Sequence, residues 1–439
     1  MTPSWSSAAT LGGLAAALMF AVLCYTDMRR AILVLTAVGC VRGIQIGAFS
    51  GSEIVAGLLP VEILATVLVS VWVLKRLMQG GRVRRTSFNT PLFLLIPSSL
   101  ISLLVGFTWF DPNAAIDHMK LAVSLGQILL IVWAIGTYLV VANSVYDDGT
   151  IERVKNLVIT LAVPSLLWLV PSTHDWPVVG WTITFALAAS SLCFAEFFYV
   201  RSVGRKAWLL LMTIAPAVYG FTMGKAFFYA YVIVSCAVIG WFKARRATLA
   251  LASPIFAAYV VLVPIAEGSL VPHIVREAVE IEEQQESLGG SGGRDQLILD
   301  GLHIWLRYPI FGVGPGNNYP YMIRYSTLGT AHNQFVNVLI EQGVIGLGCF
   351  LIFGYRAARM GLALWNTVCD PRRQVLVLAW LGMFAAMFVG GFFGDFMIPS
   401  VRNDGLELFA LYYVQWIVLG LVVSIGALER ADQAALSRS

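Results

Sequence analysis

The chain has 439 residues, 58% of them hydrophobic and 12% charged, with a formal net charge of +4. Soluble globular domains carry about 25% charged residues, so the composition excludes one; with a mean hydropathy of +0.77 it predicts an all-α polytopic membrane protein. The small net charge points to no particular partner, and no nucleic acid is expected.

A bilayer core of about 30 Å takes roughly 20 apolar residues per helix. On that measure spans fall near 8–26, 31–49, 54–76, 91–109, 119–141, 153–171, 177–199, 207–220, 222–242, 247–266, 333–354, 374–394 and 404–427. That is thirteen, or twelve if the short 207–220 segment does not cross separately. The first run lacks a basic leader and reads as a retained helix. The division is ten spans over 1–266, one large helical periplasmic loop over 267–331 between the tenth and eleventh spans, and three spans with a short cytoplasmic tail over 332–439. The six cysteines show no CxxC spacing, which predicts neither a disulfide framework nor a metal site.

Basic residues gather in cytoplasmic loops. Lys75, Arg76, Arg82, Arg84 and Arg85 mark loop 75–85 as inside, and alternation from there places 21 of the 29 Lys and Arg residues inside. The N-terminus is then outside and the C-terminus inside. All five histidines fall on the outer side, so any chemistry is expected outside the cytoplasm.

Within the spans, Arg42 and Glu62 lie at similar depth, roughly 10–12 Å from the outer face at 1.5 Å per residue, and read as a structural ion pair. Lys225 sits near the outer end of its span, where a lysine either snorkels to the interface or holds an anionic headgroup. In the outer loop, 273–287 and 294–307 have helical apolar spacing around the breaker Gly289–Gly293. The second of these carries Leu297, Leu299, Leu302, Ile304 and Trp305 as its apolar face. The run Gly312-Val313-Gly314-Pro315-Gly316 follows no strand, and Pro315 breaks the spacing of a phosphate loop; it reads as a tight re-entry turn. Arg276, Arg294 and Arg324 are loop arginines, and His332-Asn333 opens the eleventh span.

Three features in series resemble the O-antigen ligase / O-antigen polymerase superfamily of bacterial inner-membrane glycosyltransferases of the GT-C type: a Gly-Arg step before an amphipathic helix, "YPIFGVGPGNN", and "AHNQFVNVLIEQGVIGLG". The resemblance covers roughly 205–430. It implies a glycan donor on undecaprenyl diphosphate at the periplasmic face of the inner membrane, and inverting transfer without metal or other cofactor. By position, Arg294 in "SGGR" and Lys225 in "TMGK" would hold the donor diphosphate, with Arg276 and Arg324 as further candidates, and His332 would be the catalytic base. Lys225 departs from the arginine usual there, which costs the bidentate fork. Asn333 and Asp395 are candidates to bind or orient the acceptor. The ending "GDFMIPSVRNDGLELFALYYVQWIVLG" and the lysine favour a repeat-unit polymerase of O-antigen or exopolysaccharide. The alternative is a ligase that passes the glycan to lipid A-core. A protein-directed oligosaccharyltransferase, a membrane transporter and a non-catalytic assembly partner are further readings; a transporter usually shows internal repeats, and none is evident.

Overall fold

A computed structural model describes residues 7–38, 48–50, 55–57, 60–109, 111, 120–164, 177–222, 226–266, 294–325, 329–394, 396–398, 401 and 409–438. In chain order the elements are α1 (Ser7–Thr26), α2 (Met28–Val38), β1 (Ala48–Ser50), β2 (Val55–Gly57), α3 (Pro60–Gln79), α4 (Asn89–Thr108), α5 (Lys120–Ser144), α6 (Asp148–Ala162), α7 (Pro177–Phe197), α8 (Val203–Thr222), α9 (Ala226–Ala266), α10 (Arg294–Arg307), α11 (Tyr319–Met322), α12 (Gln334–Thr367), α13 (Pro371–Gly390) and α14 (Phe409–Leu436). Apart from the β1–β2 hairpin, in which Ala48 pairs with Gly57 and Ser50 with Val55, the regular structure is helical.

Six helices among the described residues are long and apolar enough to cross a membrane: Asn89–Thr108, Leu121–Ser144, Phe227–Ala250, Gln334–Thr367, Pro371–Gly390 and Tyr412–Leu436. The protein is a multi-pass membrane protein. Its exterior is apolar where lipid replaces water, as at Leu18, Val22, Leu94 and Leu104. Its centre is α5, α13 and α14, which bury Tyr138, Trp380 and Tyr413. Helix α5 packs along α14, and α13 along α9.

Several expected spans have different bounds. The second helix ends at Val38 in the described residues, and 48–50 is a strand, so 31–49 is not one helix to its end. The third starts at Pro60, where the missing N–H costs nothing at a helix's first turn. Helix α9 covers the expected span 222–242 from Ala226 onward and all of 247–266, bent at Ala244, whose φ of −145° and ψ of 51° are not helical. A Cβ on Gly240 would meet the Thr248 side chain. Residues eight apart in a straight helix are about 12 Å apart, so the bend is sharp. Helix α10 matches the expected 294–307. It buries Leu297 and Ile304 while Leu299 is exposed, so its packed stripe is narrower than the expected apolar face.

The eleventh span differs most. Helix α12 is broken at Gly343 (φ 64°, ψ −165°), which separates a buried piece, 334–342, from the longer apolar piece after it. The break frees backbone groups, and the segment after α10 takes them. Val313 and Gly314 donate their N–H groups to the carbonyls of Ile340 and Glu341 at 2.9 and 3.0 Å, and Val344 donates to the Pro309 carbonyl at 2.9 Å. From α4, Ser102 Oγ also donates to the Glu341 carbonyl. Backbone meets backbone here, so side chains must be absent. A Cβ on Gly312 would meet the backbone of 340–342, and one on Gly343 that of 310–311; both glycines have positive φ. The glycine run 312–316 is thus a stitch between chain segments, in line with the re-entry turn and not with a phosphate cradle.

Candidate functional site around His332

His332 lies on the turn that enters the buried piece of α12. It is the one non-glycine among the described residues with positive φ, 46°, a conformation that costs an L-residue roughly 1–2 kcal/mol. The turn is held from both sides. Asn337, one turn into the helix, donates through Nδ2 to Thr330 Oγ1 at 3.0 Å and accepts the Ala331 N–H at Oδ1 at 3.2 Å. Asn318 Nδ2 reaches the same Oδ1 at 3.4 Å. The His332 N–H donates to Thr330 Oγ1 at 3.4 Å. Asn318, Thr330 and Asn337 are buried while His332 is half-buried. A buried frame therefore presents a partly open imidazole.

Asn333 is the N-cap of α12. Its Oδ1 accepts the N–H groups of Phe335 and Val336 at 3.0 and 3.1 Å, and its Nδ2 donates to the Phe392 carbonyl at 3.3 Å. Side-chain oxygens at this position satisfy the otherwise orphaned first N–H groups of a helix.

Gln334, next in the chain, is fully engaged with the turn after α13. Its Oε1 accepts the N–H groups of Phe396 and Met397 at 3.1 and 2.7 Å, and its Nε2 donates to the Ile398 carbonyl at 2.7 Å. That clamp fixes the backbone next to position 395. Phe396 in turn stacks on Phe227, at the start of α9, with ring centroids 3.6 Å apart and planes 6° apart. On the other flank, a Cβ on Gly301 of α10 would meet Val336, Ile340 and Ala331. The middle of α10 and the turn after α13, itself stacked on the start of α9, therefore pack against the start of α12.

Of the residues expected from sequence, Lys225, Arg276, Asp395 and Arg42 lie outside the described residues. Arg294 opens α10, its backbone alone being described. Glu62 is fully buried in the first turn of α3. Arg324 donates through Nη1 to Asp111 Oδ2 at 3.0 Å, and Arg307 stands 4.0 Å from the same oxygen. This arginine is thus engaged with a carboxylate beside α4. Close by, burial pushes the Tyr321 phenol above its ordinary pKa, and burial followed by Asp111 does the same for Tyr308.

Asn318, Gln334 and Asn337 did not stand out as site residues in the sequence. Their signal is weak: Gln334 and Asn337 are polar amides three apart at the start of an otherwise apolar run, and Asn318 stands apart from them in the preceding loop.

Residues 207–351 match the family model described as O-antigen ligase, Wzy_C. This segment is a domain of the O-antigen ligase family. The domain runs from α8 through the first half of α12, about a third of the chain. It contains Lys225, Arg276, Arg294, Arg324, His332 and Asn333, and leaves Arg42, Glu62 and Asp395 outside. Both the glycine stitch and the His332 turn lie within the O-antigen ligase domain. No curated protein matches the chain significantly.

Proposed function

We propose that the protein is a glycan polymerase that works on undecaprenyl-diphosphate-linked repeat units at the periplasmic face of the bacterial inner membrane. The wider class, a membrane glycosyltransferase of O-antigen and polysaccharide assembly, follows from the domain at 207–351. The observation that carries the finer reading is the His332 turn, a strained and framed histidine in that domain, with α10 and the turn after α13 packed against the helix it opens.

In this reading the acceptor sugar hydroxyl loses its proton to the His332 imidazole as its oxygen bonds to C1 of the donor sugar. The C1–O bond to phosphate breaks in the same displacement, which inverts the anomeric centre. Undecaprenyl diphosphate leaves with the electron pair, and Arg294 and Lys225 balance its charge. An imidazole suits the proton transfer because its ordinary pKa lies near neutrality. The Asn337–Thr330 frame supplies orientation, and Asn333 caps the helix on which the base sits. Arg276 is a further diphosphate ligand, and Asp395 binds or orients the acceptor in this scheme. Arg324, being paired with Asp111, serves the site through its fold. Arg42 and Glu62 form an ion pair away from the reacting atoms. The reaction uses no metal and no other cofactor.

Purified protein in liposomes, supplied with lipid-linked repeat units with and without lipid A-core, tests the reading. Elongated lipid-linked product without lipid A-core is expected. Product only on lipid A-core would replace polymerase by ligase, the second reading, which the description of the matched family favours. Full activity in both His332→Ala and Arg294→Ala would overturn the site assignment, and a loss of rate on chelation would overturn the metal-free scheme.

A further inference from the structure

The end of the bundle opposite His332 contains a second polar site. The two ends are distinguished along α5: Ser124 and Gln127 bond Asn317 and the Val401 N–H near the His332 turn, while Asn143 lies at the far end of the same helix. Around Asn143 is a cleft of about 310 Å³ whose lining includes Asp27, Arg29, Trp72, Lys75, Arg76 and Asn143.

Its charges do not cancel. Arg30 pairs with Asp27 at 3.2 Å, and Arg29 pairs with Asp147 at 3.0 Å. Lys75 Nζ instead donates to the Tyr25 carbonyl at 2.8 Å, and Arg76 Nη2 to the Asn143 carbonyl at 3.1 Å. Carbonyls bear no formal charge, so both cations keep theirs; no ion pair among the described residues includes either. Arg84 adds a third. Its backbone N–H donates to Asn143 Oδ1 at 2.6 Å, and its Nη1 is buried without a hydrogen-bond partner among the described residues. Burial first, then the like charges of Arg430 and Arg76, hold the Arg84 guanidinium below its ordinary pKa. Aromatic rings support the cations, Tyr25 at 5.3 Å from Lys75 and Trp72 at 5.6 Å from Arg76. Asp27, the carboxylate of this lining, is paired with Arg30, so the like charges of Lys75, Arg76 and Arg84 repel one another, and a bound anion relieves that cost.

The helices that form the cleft also carry an apolar outer surface. Leu18 and Val22 of α1, and Leu74 and Leu77 of α3, are 57–75% exposed. A polar head in the cleft would therefore continue into acyl chains along α1 and α3. We propose that this cleft binds the phosphate of an anionic phospholipid headgroup, held by Lys75 and Arg76 with Arg84 behind them. Basic pockets between membrane helices are suited to such headgroups. The site is separate from the transfer chemistry at His332 and does not depend on that reading.

The test uses the full-length protein in neutral detergent, titrated with phosphatidylglycerol, phosphatidylcholine or inorganic phosphate. Retained lipid is read by native mass spectrometry, and melting temperature is read alongside. Preferential retention of phosphatidylglycerol is expected, with affinity falling about tenfold or more in Lys75→Gln/Arg76→Gln. Gln79→Glu places a carboxylate on an exposed lining position and should weaken binding without touching the core, so it serves if the double variant misfolds. Equal retention of the two lipids by the unaltered protein, or an unchanged preference in Gln79→Glu and in the folded double variant, would overturn the proposal. Displacement of phosphatidylglycerol by millimolar phosphate would overturn the lipid as the occupant and assign the site to the free anion.

Discussion

At the scale of single residues, His332 combines an unfavourable backbone angle with a frame that enforces it. Left-handed backbone at a non-glycine persists only where the surroundings over-determine it, and Asn337 does this through Thr330 and the Ala331 N–H. Replacing Asn337 with Ala leaves Thr330 Oγ1 and that N–H short of partners in a buried site. A loss of about 1–3 kcal/mol of stability is expected, measured as a lowered melting temperature in detergent. If the frame orients the base, kcat falls with little change in KM, and the acid limb of the pH–rate profile stays in place. His332→Gly, with its backbone strain removed and its imidazole gone, should be at least as stable as the unaltered protein and inactive in transfer. Stability lost with activity would show that the side chain serves the fold.

At the scale of elements, the broken α12 and the segment 309–316 form one unit. The interruption at Gly343 is tolerable in an apolar bundle because other backbone groups satisfy the freed N–H and carbonyl groups. Both partners must stay free of side chains, so Gly343→Ala and Gly312→Ala should each cost at least about 1–2 kcal/mol from positive φ alone. Overlap with the facing backbone adds to that. Both should reduce folded yield, read by size-exclusion elution, while Gly348→Ala, which meets nothing within 4 Å, should behave like the unaltered protein. Equal tolerance at all three positions would mean that the stitch does not hold the domain together. The helical period of the eleventh span is visible in sequence; its interruption is not, because a glycine inside an apolar run reads the same whether the helix continues or breaks.

At the scale of the whole molecule, basic residues collect at one end. Arg29, Lys75, Arg76, Arg84, Arg356 and Arg373 all lie at the end away from His332, where Arg356 donates to the Ser87 carbonyl at 2.6 Å. Their alternation along the sequence thus has a spatial counterpart. A membrane-impermeant thiol reagent tests which face this is: Gly290→Cys should label from outside in intact cells, and Arg82→Cys only after lysis. The same end is tied together by Arg373, which forks onto Asp148 at 2.8 Å twice and also bonds Glu429 and Asp432 at 3.0 and 2.7 Å. Three helices, α6, α13 and α14, meet there. Its bonds to Arg373 hold the Asp148 carboxyl below its ordinary pKa. That contribution is present above the ordinary carboxylate range and is lost as pH falls through the lowered value. The melting temperature should therefore drop on acidification below about pH 4. Arg373→Ala should lower it already at neutral pH and flatten that acid dependence.

The sequence by itself determined the membrane class, the helical period of most spans, the bounds of α10, the clustering of charge and the family resemblance that the match at 207–351 bears out. These follow from composition, local spacing and short motifs, which need no knowledge of what each residue faces. The tertiary structure alone decided that the glycine run bonds the carbonyls of Ile340 and Glu341, that Gln334 clamps the turn after α13, and that Asn337 frames the histidine. It also decided that Arg324 faces Asp111, a residue 213 positions earlier. Each of these joins groups far apart in the chain or freed by a break in a helix, and neither hydropathy nor periodicity records where an unpaired backbone group or a buried charge will find its partner.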